Sequence, residues 1–134
     1  MRQSVSAKTI WEEAVGYSRA VRVGNAIYVG GTAAADAQGL THGAGDPYAQ
    51  TAYALNKIEG ALRELGASLD DVVRTRIFVT RIDDWQEIAR AHAERFGRVR
   101  PCTTMVEVSR LITPDLVVEI EADAILGSGD DTPG

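Results

Sequence analysis

Two alternating segments near the end of the chain constrain its fold more than anything before them. Thr103–Ser109 and Val117–Leu126 each read as a β-strand, joined by a turn at Thr113-Pro114-Asp115. In the second, Val118, Ile120, Ala122 and Ala124 share one face while Glu119, Glu121 and Asp123 take the other, the period of two that a half-buried strand requires. In the first, Val106 and Val108 oppose Thr103, Met105 and Glu107. The apolar rows are assigned to the core, so the second face carries hydroxyls, a thioether and carboxylates. A site is expected on that polar face or at its edge.

The strands need helices to cover them. Asp46 before Pro47 is a helix start, a capping acid and then a proline at the first helical position. Ala54, Leu55, Ile58, Ala61, Leu62 and Leu65 recur at helical spacing, and Gly66 ends the element. Asp83-Asp84 is expected to cap a second helix that runs to Phe96. His92 on its stripe reads as a packed helix residue, because the pattern offers it no catalytic partner.

Before the first helix, strands are expected over Ser18–Val23 and Ala26–Val29, with Gly24-Asn25 as the hairpin turn. Gly30-Gly31 at the strand end has two readings: a bulge or close backbone approach to a ligand, or a simple bend. Residues 1–15 are mixed, with Trp11–Val15 packing on the body, and residues 32–46 read as a loop with room for a short strand. Val72–Thr80 is a further strand, with Thr75, Ile77 and Val79 inward and Arg74, Arg76 and Phe78 outward. The order β-β-α-β-α-β-β implies an α+β domain over residues 1–126: one mixed sheet with two helices on one face. Residues 127–134 read as a disordered tail.

The uncovered face would hold Arg74, Arg76, Phe78, Thr103, Met105, Glu107, Glu119, Glu121 and Asp123. Cross-strand pairing neutralises part of that charge, and the rest suits either solvent or a partner subunit, closed homo-oligomers being the usual solution. A length of 134 residues suits one domain with its own core. A net charge of −5 argues against a nucleic-acid partner. No apolar run reaches the roughly 18 residues of a membrane span, and the N-terminus lacks the apolar core of a secretory signal. Cys102 has no second cysteine to pair with, so a reducing cytoplasm is the expected location. His42, His92 and Cys102 have no metal-ligand spacing.

Gly16-Tyr17, Asn25-Ala-Ile-Tyr-Val-Gly-Gly31, Ala54-Leu55-Asn56, Val73-Arg-Thr-Arg-Ile-Phe-Val-Thr80 and Arg100-Pro101 followed by Val106-Glu-Val-Ser-Arg-Leu111 and Val118-Glu-Ile-Glu-Ala122 together resemble the Rid family, also called YjgF-type or reactive intermediate deaminases. The likeness covers about residues 16–126. It implies a chorismate-mutase-like fold and a homotrimer whose sheets form a central barrel, with three clefts between subunits. Archetypal members hydrolyse enamines and imines to a 2-oxoacid and ammonia without a cofactor. The family's pocket tyrosine falls on Tyr17, and its last-strand glutamate, which helps hold and activate water, on Glu119.

Other family positions have changed. The arginine that clamps a substrate carboxylate falls on Thr103, the cysteine two residues on falls on Met105, and a hydroxyl at the end of the second strand falls on Gly30, beside Gly31. A single neutral hydroxyl replaces a planar, charge-assisted pair. Losing such a contact in a buried cleft costs about 2–5 kcal/mol, roughly 30-fold to several-thousand-fold in binding.

Two functions follow as expectations. One is a Rid-like hydrolase whose substrate is not selected through a carboxylate, with Glu119 as base and Thr103 contacting the substrate. The other is a non-catalytic binding or chaperone-like trimer that uses the same clefts. Glu119 also has a purely structural reading, as a strand residue paired with Arg74 or Arg76 at the subunit interface. The discriminating feature is whether a cationic side chain, such as Arg19, Arg76 or Arg100, enters the cleft. The endoribonuclease label that some members carry fits an acidic chain poorly.

Overall fold

In the computed structural model, which describes residues 1–129, the chain runs β1 (Arg2–Val5), α1 (Glu12–Val15), β2 (Ala20–Val23), β3 (Ala26–Ala33), α2 (Pro47–Glu64), β4 (Val72–Val79), α3 (Trp85–Phe96), β5 (Cys102–Glu107) and β6 (Val118–Ile125). One mixed sheet of order β1-β2-β3-β6-β4-β5 results. The most strongly alternating strand, β6, lies inside it, antiparallel to both β3 and β4. Its apolar row of Val118, Ile120, Ala122 and Ala124 is 0–2 % exposed. This row packs with Leu55, Ile58 and Leu62 of α2 and Ile88 of α3, so both helices share one face of the sheet. Burying each such Leu or Ile stabilises the fold by about 1.5–3 kcal/mol.

The helix signals act as their chemistry dictates. Asp46 accepts a hydrogen bond from the Ala49 N–H at 3.0 Å with Pro47 at the first helical position, and Gly66 takes φ +85° beyond the C-terminus. Asp84 makes no side-chain cap; a 3₁₀ turn over Ile82–Asp84 leads into α3 instead. His92 is the packed residue expected: its Nε2 lies 2.9 Å from Thr75 Oγ1, and Phe96 packs on its ring at 4.7 Å. Burial lowers its pKa.

Several boundaries differ from those expected. The first residues supply a strand, β1, paired antiparallel to β2, and the single helical turn α1, neither of which the mixed pattern announced. Of Trp11–Val15, expected to pack on the body, Trp11 does so against Ala33, Ala34, Ala35 and Leu116, while Val15 is 68 % exposed. Strand β3 does not stop at Gly30-Gly31 but continues to Ala33, with its register against β6 shifting between Val29 and Thr32. The glycine pair is thus a bulge. Residues 127–129 are tied down: the Gly127 N–H donates to Asp71 Oδ1 at 3.1 Å and the Ser128 hydroxyl to the Asp71 carbonyl at 3.1 Å. The rest of the expected tail, 130–134, lies outside the described residues.

The largest correction concerns β5. It does not neighbour β6 but runs parallel to β4 on the far side, at the sheet edge, with Thr75 opposite Thr103 and Ile77 opposite Met105. Thr103, Met105 and Glu107 therefore belong to the helix-bearing face, and Val106, 42 % exposed, to the open one. A strand with apolar residues in both rows does not declare its inner face; the register with β4 decides it.

On the open face the expected cross-strand pairing is present. Arg76 Nη1 lies 3.3 Å from Asp123 and 3.5 Å from Glu121, and Arg74 Nε lies 3.9 Å from Asp123.

Candidate functional site

The pocket forms where four parts of the chain converge: the segment before β2, the second half of β3, the start of β6 and the middle of α2. It has a volume of about 250 Å³ and is lined by Tyr17, Arg19, Gly31, Lys57, Leu116 and Glu119, among others. That volume suits a small metabolite, being below the roughly 300–1,000 Å³ of drug-sized sites.

Glu119 enters because β6 alternates: its neighbours Val118 and Ile120 are fully buried on the helix side, so it turns to the other. It faces the bulge in β3. A Cβ built on Gly31 would lie 2.9 Å from Glu119 Cδ and 3.0 Å from Oε2. Glu121 and Asp123 are paired with arginines, but Glu119 has no ion pair or hydrogen bond among the described residues. Within the chain, neither Arg74 nor Arg76 pairs with Glu119; they pair with Glu121 and Asp123 instead. Burial raises its pKa, with Arg19 opposing the shift and Glu121 adding to it.

Tyr17 closes one wall, its hydroxyl 2.5 Å from Thr9 Oγ1. Arg19, two residues on, has its guanidinium carbon 5.9 Å from the Tyr17 ring centroid. Arg19 is only 6 % exposed. Its Nη1 donates to the Gly31 carbonyl at 2.5 Å and to Thr32 Oγ1 at 3.0 Å. The Tyr17 side chain also hydrogen-bonds it, so at least two of the five guanidinium N–H donors remain for a ligand. Lys57 reaches the pocket from α2 and donates to the carbonyls of Ala33 at 3.1 Å and Ala35 at 2.9 Å. Burial, helped by the charge of Arg19 and opposed by Asp36, lowers its pKa to about 8.

The residues proposed from sequence divide into two groups. Tyr17, Gly31 and Glu119 meet in the pocket. Gly30 adjoins it through its backbone only, its N–H bonded to the Arg19 carbonyl at 2.9 Å and its carbonyl to Thr32 Oγ1 at 2.8 Å. Thr103 and Met105 do not line it; Thr103 Oγ1 lies 2.8 Å from Thr75 Oγ1, and Met105 packs on the core. Of the three candidate arginines only Arg19 enters. Arg76 is engaged on the open face, and Arg100 bonds the Gly97 carbonyl at 3.0 Å.

Lys57 was missed. Its signal was faint: it stands three residues after Ala54 and four before Ala61, at the margin of the apolar stripe of α2. Among the described residues, no group of three or more His, Cys, Asp or Glu side chains is arranged to hold a metal ion.

The family described as Endoribonuclease L-PSP matches residues 8–126. The chain belongs to this family, the YjgF or Rid proteins. A Mycobacterium tuberculosis structure described as a member of the highly conserved YjgF/YER057c/UK114 family is 52 % identical, with a TM-score of 0.84 over 94 % of this chain and 100 % of that one. A Yersinia pestis structure assigned to the conserved Rid protein family is 27 % identical, with a TM-score of 0.82 over 94 % of this chain and 100 % of that one. The 3-aminoacrylate deaminase RutC of Acinetobacter baylyi is 34 % identical over 108 residues, 81 % of this chain and 85 % of its own. The mixed sheet with two main helices is the family's chorismate-mutase-like fold.

Proposed function

We propose that this Rid-family protein hydrolyses a small reactive imine or enamine, with Glu119 as general base and Tyr17 as a wall and hydrogen-bonding group of the pocket. The observation that carries the reading is Glu119 itself: a half-buried carboxylate without a counter-ion contact, set against the bare backbone of Gly31. Burial that raises its pKa brings it toward the range where a carboxylate exchanges protons efficiently.

In the reaction, Glu119 takes a proton from water as the water oxygen bonds to the imine carbon. That proton passes to nitrogen to give a carbinolamine; Glu119 then moves the hydroxyl proton to the amine, the C–N bond breaks as the C=O bond forms, and a carbonyl compound and ammonia leave. An enamine enters the same sequence after protonation at carbon makes it an imine. No redox partner is required, since one water is consumed for each ammonia released.

The working unit in this proposal is a cytoplasmic homotrimer, with the open sheet faces turned inward and Thr103 and Met105 of one copy reaching the cleft of the next. Support comes from the exposed Tyr28 (54 %) and Val106 (42 %) on that face. A pocket of small volume and a net charge of −5 favour a small molecule over RNA as substrate.

The test generates imines with an amino-acid oxidase, follows their decay by semicarbazone trapping, and compares the wild type with Glu119→Gln. Light scattering on the same sample checks for three chain masses. Acceleration abolished by Glu119→Gln supports the proposal. Absence of acceleration on every imine, carboxylated or neutral, overturns it in favour of a binding protein using the same pocket.

A further inference from the structure

The pocket contains two cations and one anion. Arg19, 6 % exposed, is the most deeply buried charged side chain among the described residues, and it forms no ion pair with a carboxylate there. The surface arginines contrast with it: Arg63, Arg74, Arg76, Arg90 and Arg98 each contact an acid. A buried cation without a counter-ion is costly, and the neighbouring Lys57 adds a like charge. Glu119 acts on Arg19 through space but forms no ion pair with it.

We propose that Arg19 and Lys57 form an anion subsite, and that the ligand of this pocket carries a carboxylate held by the same chain that supplies Glu119. The inference rests on the imine-hydrolase reading for what reacts, and adds what is recognised. The family's clamp position holds Thr103 here, a change that by itself implies a substrate not selected through its carboxylate. The structure supplies cations from elsewhere: one immediately before β2 and one on α2.

The chemistry of the pair suits a carboxylate. The guanidinium of Arg19 is fixed by the Gly31 carbonyl and Thr32 hydroxyl and retains donors in a planar fork. The ammonium of Lys57 is fixed by two backbone carbonyls and retains its third N–H. Both heads are positioned before the ligand arrives, so little side-chain ordering remains to oppose binding. With the carboxylate at this end, the C=N group of a small 2-imino acid lies within a pocket that also contains Glu119.

The experiment is calorimetric titration of the full-length protein with pyruvate, a 2-oxoacid product analogue, and with pyruvamide, its neutral counterpart. Wild type is compared with Lys57→Met and Arg19→Gln. Pyruvate is expected to bind about tenfold or more tighter than pyruvamide to the wild type, the scale of a charge-assisted hydrogen bond. Lys57→Met should remove most of that preference, weakening pyruvate binding by much more than pyruvamide binding. Arg19 also ties the β3 bulge, so the wild-type comparison and Lys57→Met decide the matter if Arg19→Gln does not fold. Equal binding of the two ligands, or a preference untouched by Lys57→Met and by a folded Arg19→Gln, overturns the subsite. The imine assay separates the two proposals. Turnover dependent on Glu119 but indifferent to the carboxylate sinks only the subsite, and carboxylate-selective binding without turnover sinks only the hydrolase.

Discussion

The carboxylate of Glu119 occupies the space into which a side chain at Gly31 would project, with 2.9 Å from its Cδ to a Cβ built there. The two residues sit on neighbouring antiparallel strands, where the β3 bulge shifts the register. Gly31→Ala should therefore push the flexible end of Glu119 aside rather than disrupt backbone. We expect at least a tenfold loss of imine hydrolysis with a stability change below about 1 kcal/mol, within the usual range for substitutions that strain only a movable side chain. Turnover and urea unfolding measured on the same preparation check both halves; a large stability loss would mean that the bulge is rigid against the new methyl.

The raised pKa of Glu119 sets the acid limb of the activity profile. A base works ionised, so activity should rise with pH through a midpoint above the ordinary glutamate value of about 4.3. Glu119→Gln should abolish the limb along with the activity. A rate already flat from pH 4 upward would show that another group takes the proton.

Lys57 gives a stability signature of its own. Its folded pKa of about 8 lies below the unfolded value of about 10.4. Between those values the unfolded chain binds more protons, so this residue makes stability rise with pH across that window. Arg19, which lowers the pKa, and Asp36, which raises it, are the charged groups acting on it. Urea unfolding from pH 7 to 10 should show a steeper rise for the wild type than for Lys57→Met; parallel curves would place the Lys57 ammonium in solvent.

Thr75 connects α3, β4 and β5 through its hydroxyl, 2.9 Å from His92 Nε2 and 2.8 Å from Thr103 Oγ1. It is fully buried. Thr75→Val keeps the shape and removes both bonds, and should cost about 1–3 kcal/mol, the penalty for a polar partner left unsatisfied. A denaturant midpoint unchanged from the wild type would contradict this account.

Gln50 plays the corresponding role for the loop before β6. Its amide donates to the Asp115 carbonyl at 2.8 Å and accepts from the Val117 N–H at 2.9 Å, and the residue is fully buried. Gln50→Leu should destabilise by about 2–4 kcal/mol, because three backbone groups, the Gly43 and Asp115 carbonyls and the Val117 N–H, lose a partner. It should also weaken activity, since Leu116 in that loop lines the pocket. Thermal unfolding and turnover together check this; wild-type values for both would refute it.

The sequence by itself determined the elements whose period was unambiguous. Val118 to Ala124 alternate cleanly, and Asp46-Pro47 and Gly66 bracket a helix by local backbone chemistry, so these follow whatever the neighbours do. Tyr17 and Glu119 were legible through resemblance and Gly31 through its glycine pair at a strand end, and the structure brings all three to one pocket. The facing of β5 was not legible, because Thr103, Met105 and Val106 leave both rows partly apolar and only pairing with β4 chooses between them. Nor was Lys57 legible: a lysine beside an apolar stripe reads as solvated until the fold brings the Ala33 and Ala35 carbonyls to its ammonium. Local periodicity is written in consecutive residues, whereas the charge of a pocket depends on which distant segments meet there, and only the tertiary structure decided that.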